Sequence, residues 1–77
     1  RFDEALAMQR ALERAYETAG APDGYVFEEI AELLLALDRR AESRPYFERA
    51  ATELGRDPGF AKAQAARLQR LRELARD

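Results

Sequence analysis

Apolar residues recur at helical spacing four times along the chain, and each recurrence predicts an amphipathic helix. In the first segment, 2–19, Phe2, Ala5, Leu6, Leu12, Ala15, Tyr16 and Ala19 fall on one face, with Arg10, Glu13, Arg14 and Glu17 opposite. "GAPDG" at 20–24 stops that segment with glycine and proline, as helix C-termini commonly stop. In the second, 25–39, Phe27, Ile30, Ala31, Leu34 and Leu37 make a stripe that Val26 and Leu33 widen, and Asp23 is placed to cap it. The third, 42–54, carries Phe47, Ala50, Ala51 and Leu54. The fourth, 60–75, follows "GRDPG" and turns Ala61, Ala65, Leu68, Leu71 and Ala75 inward.

Pro45 decides whether the second and third stripes share one helix. A helix from 25 to 54 would carry the ring through its interior at a cost of about 3 kcal/mol, so Pro45 opens a helix. A start at Arg44–Pro45 respects the restriction on the residue before proline, whereas a start near Ala41 sets the ring at the edge of the first turn. Both starts remain open at this level.

Composition supports the helical reading. The 77 residues include many alanines and leucines, and 36% are charged, but only four are glycine and three proline. This length allows one domain, 1–77, with a thin core, and the start at Arg1 rather than methionine points to a fragment of a longer protein. With no cysteine and no histidine, the chain lacks a disulfide, a thiolate metal site, the commonest general base and the commonest metal ligand. Ser43 is the only serine and Lys62 the only lysine, and neither has an evident activating neighbour. No catalytic residue, metal ligand or cofactor site is therefore assigned, and the expectation is a protein that is not an enzyme. No apolar run reaches the length of a membrane span and no signal-peptide pattern opens the chain, which predicts a cytoplasmic protein.

Charge is uneven. Residues 1–55 carry 7 basic and 12 acidic side chains, and 56–77 carry 6 and 3, so a weakly basic end follows an acidic body. No aromatic residue lies beyond Phe60 to stack on bases, which argues against nucleic acid. "RLQRLRELAR" at 67–76 is an amphipathic basic helix, but Leu68, Leu71 and Leu74 are wanted by the core, which argues against a membrane surface.

The two glycine–proline breaks are alike and share an offset. Gly20 matches Gly55, Gly24 matches Gly59 and Tyr25 matches Phe60, each 35 residues apart, and the same step takes Leu12 to Phe47 and Leu33 to Leu68. Over 24–58 the chain resembles the tetratricopeptide repeat: Phe27, Ile30, Ala31 and Leu34 occupy the signature positions of its first helix, Ser43, Phe47 and Ala50 those of its second, and Pro58 closes it. Ala31 stands for the usual glycine, Ser43 for the usual alanine, and two extra residues precede Pro58. The resemblance implies an all-α fold of antiparallel helical hairpins stacked as a short right-handed superhelix of about four helices. It also implies a protein-interaction module or scaffold with a concave groove for a peptide or partner helix.

Carried onto this sequence, the groove positions are Tyr25, Glu28, Glu32 and Leu35 from the second helix with Phe60, Ala63, Arg67 and Arg70 from the fourth. The competing reading of the charges is that Glu28 and Glu32 pair with Arg67 and Arg70, exposed and worth under about 1 kcal/mol each. Carboxylate-clamping members of the family use lysine and asparagine here, where this chain has Glu28 and Glu32 and no asparagine at all. Glu28, Glu29 and Glu32 in "FEEIAE" read as a solvated acidic face rather than a metal site. Among the tyrosines, Tyr16 continues the inner stripe of its helix and Tyr25 opens a helix as an exposed anchor. The alternative function is structural: a dimerisation or capping domain in which an exposed apolar end of the stack pairs with a second copy.

Overall fold

The computed structural model describes residues 2–18, 20 and 23–76, and these form an all-α structure of five helices. In chain order they are α1 (Phe2–Thr18), α2 (Gly24–Ala36), α3 (Arg40–Gly55), α4 (Pro58–Ala63) and α5 (Ala65–Arg76). None is long and apolar enough to cross a membrane.

Local chemistry sets most of the helix ends. Asp23 caps α2 by accepting a hydrogen bond from Tyr25 N at 2.8 Å, and Asp57 caps α4 from Gly59 N at 2.9 Å, so each covers one of the donors that a helix start leaves unpaired. At the other end of α2, Arg39 N donates to Leu34 O at 2.9 Å and Asp38 N to Leu35 O at 3.0 Å, which is the Schellman arrangement with Asp38 in the left-handed conformation at φ 60°. Gly20 beyond α1 also has positive φ, 72°. Ala19, Ala21 and Pro22, which belong to the first segment and its stop, lie outside the described residues.

Several helix boundaries differ from the sequence reading; α2 ends at Ala36 rather than at 39, because the chain turns left-handed at Asp38. α3 starts at Arg40, next to the expected start near Ala41 and well before Arg44–Pro45, so Pro45 lies in its second turn, just beyond the expected edge of the first. Pro45 and Ala41 are both exposed, so water can reach the carbonyl that the ring deprives of a donor. The fourth segment is two helices, broken at Gln64. Gln64 N donates to Phe60 O to end α4, and Gln64 O accepts from Leu68 N to begin α5. No glycine or proline marks the break; Phe60 is buried from α4, whereas Leu68 and Leu71 are buried from α5.

The helices pack largely in sequence: α1 against α2, α2 against α3, and α3 against both α4 and α5. Gly24 at the start of α2 abuts Glu53 and Leu54 at the end of α3, so these two helices run antiparallel. Glu13 and Glu17 of α1 pair with Arg49 of α3, and Arg10 of α1 approaches Glu42, so α1 and α3 share a direction. The main core holds Phe27 and Ala31 of α2, Phe47, Ala50, Ala51 and Leu54 of α3, Phe60 of α4, and Leu68 and Leu71 of α5. A smaller cluster joins Leu6 of α1 to Val26, Ile30, Leu33 and Leu34 of α2, and Tyr46 is packed against both.

α1 departs furthest from expectation. Of its expected inner stripe, Leu6 is buried and Ala5 partly so, while Phe2, Leu12 and Ala15 are exposed; the Tyr16 side chain lies outside the described residues. Glu13, expected on the outer side, is buried. The ion pair with Arg49 explains the rotation: with one apolar neighbour to pack on, α1 turns so that Glu13 reaches a cation rather than so that Leu12 reaches the core. Ala65 is exposed as well, because the break at Gln64 resets the face of α5.

Candidate functional site

The eight residues expected to line a groove do not act alike in the structure. Tyr25, the second residue of α2, and Phe60, the third of α4, bring their rings to 5.9 Å at 83°, an edge-to-face pair. Phe60 is buried beneath, whereas Tyr25 remains 54% exposed. The Arg67 guanidinium from α5 stands 5.6 Å from both ring centroids, within cation–π range.

Arg67 also forks onto Glu28. Its Nε lies 2.9 Å from Oε2, and Nη2 bonds Oε1. One turn further along, Arg70 bonds both oxygens of Glu32, with Nη2 at 3.2 Å from Oε1. The two bidentate pairs join α5 to α2 as parallel rungs, because Glu28 precedes Glu32 as Arg67 precedes Arg70. These hydrogen bonds raise the pKa of both guanidiniums above the ordinary arginine value, against the lowering effect of partial burial. The pairing reading of these charges describes the geometry. Glu29 is exposed.

Leu35 is half-buried against the main core, and Ala63 is exposed at the end of α4. Tyr25, Glu28, Glu32, Phe60, Arg67 and Arg70 therefore form one connected surface, with Leu35 belonging to the packing beneath it. Each half is placed by a capped turn. Asp23 orients the first turn of α2 and hence Tyr25, and Asp57 does the same for α4 and Phe60.

A second constellation lies outside the residues that the sequence pattern points to. Arg49 of α3 lays its guanidinium 4.1 Å above the Phe27 ring and 5.7 Å from Tyr46, and bonds both Glu13 and Glu17 of α1. Burial lowers its pKa, and the hydrogen bonds it donates to the two carboxylates, with their charge, more than reverse that effect. It forms one wall of a cleft of about 400 Å³ shared with Glu17, Phe27, Glu48, Thr52 and Glu53. Apolar periodicity carries no signal for it, since the contact joins residues more than thirty positions apart.

Fold and site together define an all-α protein whose surface is organised by arginine–carboxylate forks and an exposed tyrosine. Set against known proteins, the chain matches no family model, no curated protein and no solved structure.

Proposed function

We propose that this chain is a tetratricopeptide-like, non-enzymatic protein-interaction module whose α2–α5 surface receives a peptide or a partner helix. The observation that carries this reading is Tyr25. Its ring is more than half exposed yet is held by Phe60 at its edge and Arg67 beside it, so it offers apolar area with little motion left to lose on binding. The two ion-pair rungs beside it supply donors and acceptors in alternation. The Glu32–Arg70 pair, the more exposed of the two, contributes under about 1 kcal/mol to folding, so it is free to exchange partners with a ligand. The antiparallel α2–α3 hairpin and the 35-residue offset between Tyr25 and Phe60 support the repeat-like description.

A display library of random peptides, panned on the immobilised chain, tests this. Peptides enriched on the unmodified chain should bind Tyr25→Ala about tenfold or more weaker, and should also weaken on the double reversal Glu32→Arg with Arg70→Glu. The thermal midpoint of both variants should stay near that of the parent. Failure to enrich any peptide, or binding indifferent to Tyr25, would overturn the reading. A large loss of midpoint would make these residues structural instead.

A further inference from the structure

The outer side of α1 is apolar and uncovered among the described residues. A helix turns about 100° per residue, which gathers Glu4, Met8, Ala11, Leu12 and Ala15 on the side away from Leu6 and Glu13. All five are exposed, Met8 at 72% and Leu12 at 42%, and Phe2 at the helix start is 53% exposed. Glu4 is the single charge among them. Soluble monomers seldom leave such a face open.

Along one edge of this face the surface changes sign. Arg10, Arg14 and Arg39 line a cleft of about 330 Å³ with Asp3, and the buried Nε of Arg10 has no hydrogen-bond partner among the described residues. One helix therefore carries an acidic first turn, an apolar outer side and a basic edge further along.

We infer that α1 pairs with α1 of a second copy, antiparallel, with Met8 of each against Leu12 of the other. Centred in this way on residue 10, the register also sets Ala5 against Ala15. Glu4 then falls within about one turn of Arg14 of the second copy, on the same edge, and two-fold symmetry makes that contact twice. A parallel pairing would leave Glu4 and the Arg14 of the second copy ten residues, about 15 Å, apart along the axis and forgo both contacts, so charge selects the antiparallel arrangement. A single helix pair lies near or below the roughly 1,200 Å² at the low end of specific interfaces, which makes the dimer weak and concentration-dependent. This pairing uses neither Tyr25 nor the α2–α5 rungs and stands independently of the peptide-binding reading.

Sedimentation equilibrium of the whole chain over a hundredfold concentration range tests it, with no ligand present. The parent should pass from monomer to dimer, and a monomer throughout would overturn the inference. Glu4→Arg and Arg14→Glu should each raise the dimer dissociation constant about tenfold when studied alone. An equimolar mixture of the two should associate as tightly as the parent, because both contacts then join opposite charges. Dimerisation indifferent to both substitutions, or a mixture that stays as weak as its components, would place the interface elsewhere. Circular dichroism checks folding. Met8→Glu, at the most exposed of these positions, provides a second test: a helical monomer is expected, and a persistent dimer would overturn the proposal.

Discussion

Arg49 Nη1 of α3 stands 2.9 Å from Glu13 Oε1 of α1, and the Glu13 side chain is only 9% exposed. The carboxylate has few other sources of solvation, so removing the cation strands a buried charge. Arg49→Ala should destabilise the fold by about 2 kcal/mol, which includes loss of the stacking on Phe27. Arg70→Ala, which breaks a rung to the more exposed Glu32, should cost under about 1 kcal/mol. Urea denaturation of the two variants measures the contrast, and equal losses would mean that burial of Glu13 matters little.

Gly24 and Gly55 should respond to alanine with opposite signs. A Cβ on Gly24 would stand 2.7 Å from Leu54 Cγ and 3.0 Å from Glu53 Cβ, so the α2–α3 hairpin would have to open slightly. Gly24→Ala should cost about 1–3 kcal/mol. At Gly55 the nearest atoms are at 3.7 Å, an ordinary contact, and Gly55→Ala should stabilise by about 0.5–1 kcal/mol through loss of freedom in the unfolded chain. Thermal melts of both variants decide the matter.

Asp38 occupies a left-handed conformation that glycine adopts without strain. Asp38→Gly should therefore raise stability by about 0.5–1 kcal/mol despite the greater freedom that glycine gives the unfolded chain. A lowered thermal midpoint would show that the aspartate side chain contributes more than its backbone strain costs.

The pKa of the Tyr46 phenol is raised above the ordinary value, first by burial and then by the Glu13 carboxylate charge beside it. The unfolded chain consequently loses this proton at lower pH than the folded one. Stability from this source is complete below about pH 10 and falls as pH rises through the higher folded value. Urea midpoints measured between pH 8 and 11 should decline less for Tyr46→Phe than for the parent. Parallel curves would show that other groups dominate the alkaline loss.

Much of the architecture could be read from periodicity because α2 and α3 are enclosed by neighbours, and an enclosed helix must bury its stripe. Ile30, Ala31, Leu34, Phe47 and Ala50 are all fully buried. α1 misleads for the opposite reason: packed mainly on α2, it can rotate at small apolar cost, and a buried ion pair then outweighs Leu12. The break at Gln64 is equally silent in sequence, since "KAQA" favours a continuous helix and only the separate seats of Phe60 and Leu71 divide it. At the candidate site the pairing of Glu28 and Glu32 with Arg67 and Arg70 was one of two readings, reached through the repeat resemblance that sets the second helix beside the fourth. The stacking of Tyr25 on Phe60 was not legible, because it depends on how two capped turns meet in space.

The division of the core into two clusters gives the two ends of the molecule unequal tenure. Leu6 is the only fully buried apolar residue α1 contributes among those described, whereas α2 through α5 share nine in one cluster. α1 can therefore detach while the hairpin and its two following helices persist, and its amides should exchange with deuterium through that opening long before those of α3. A protease present in trace amounts should cut first within α1 and leave α2 through α5 as a folded, trimmed body. The lifetime of the intact chain is then governed by Leu6 and the two carboxylates on Arg49 rather than by the larger core.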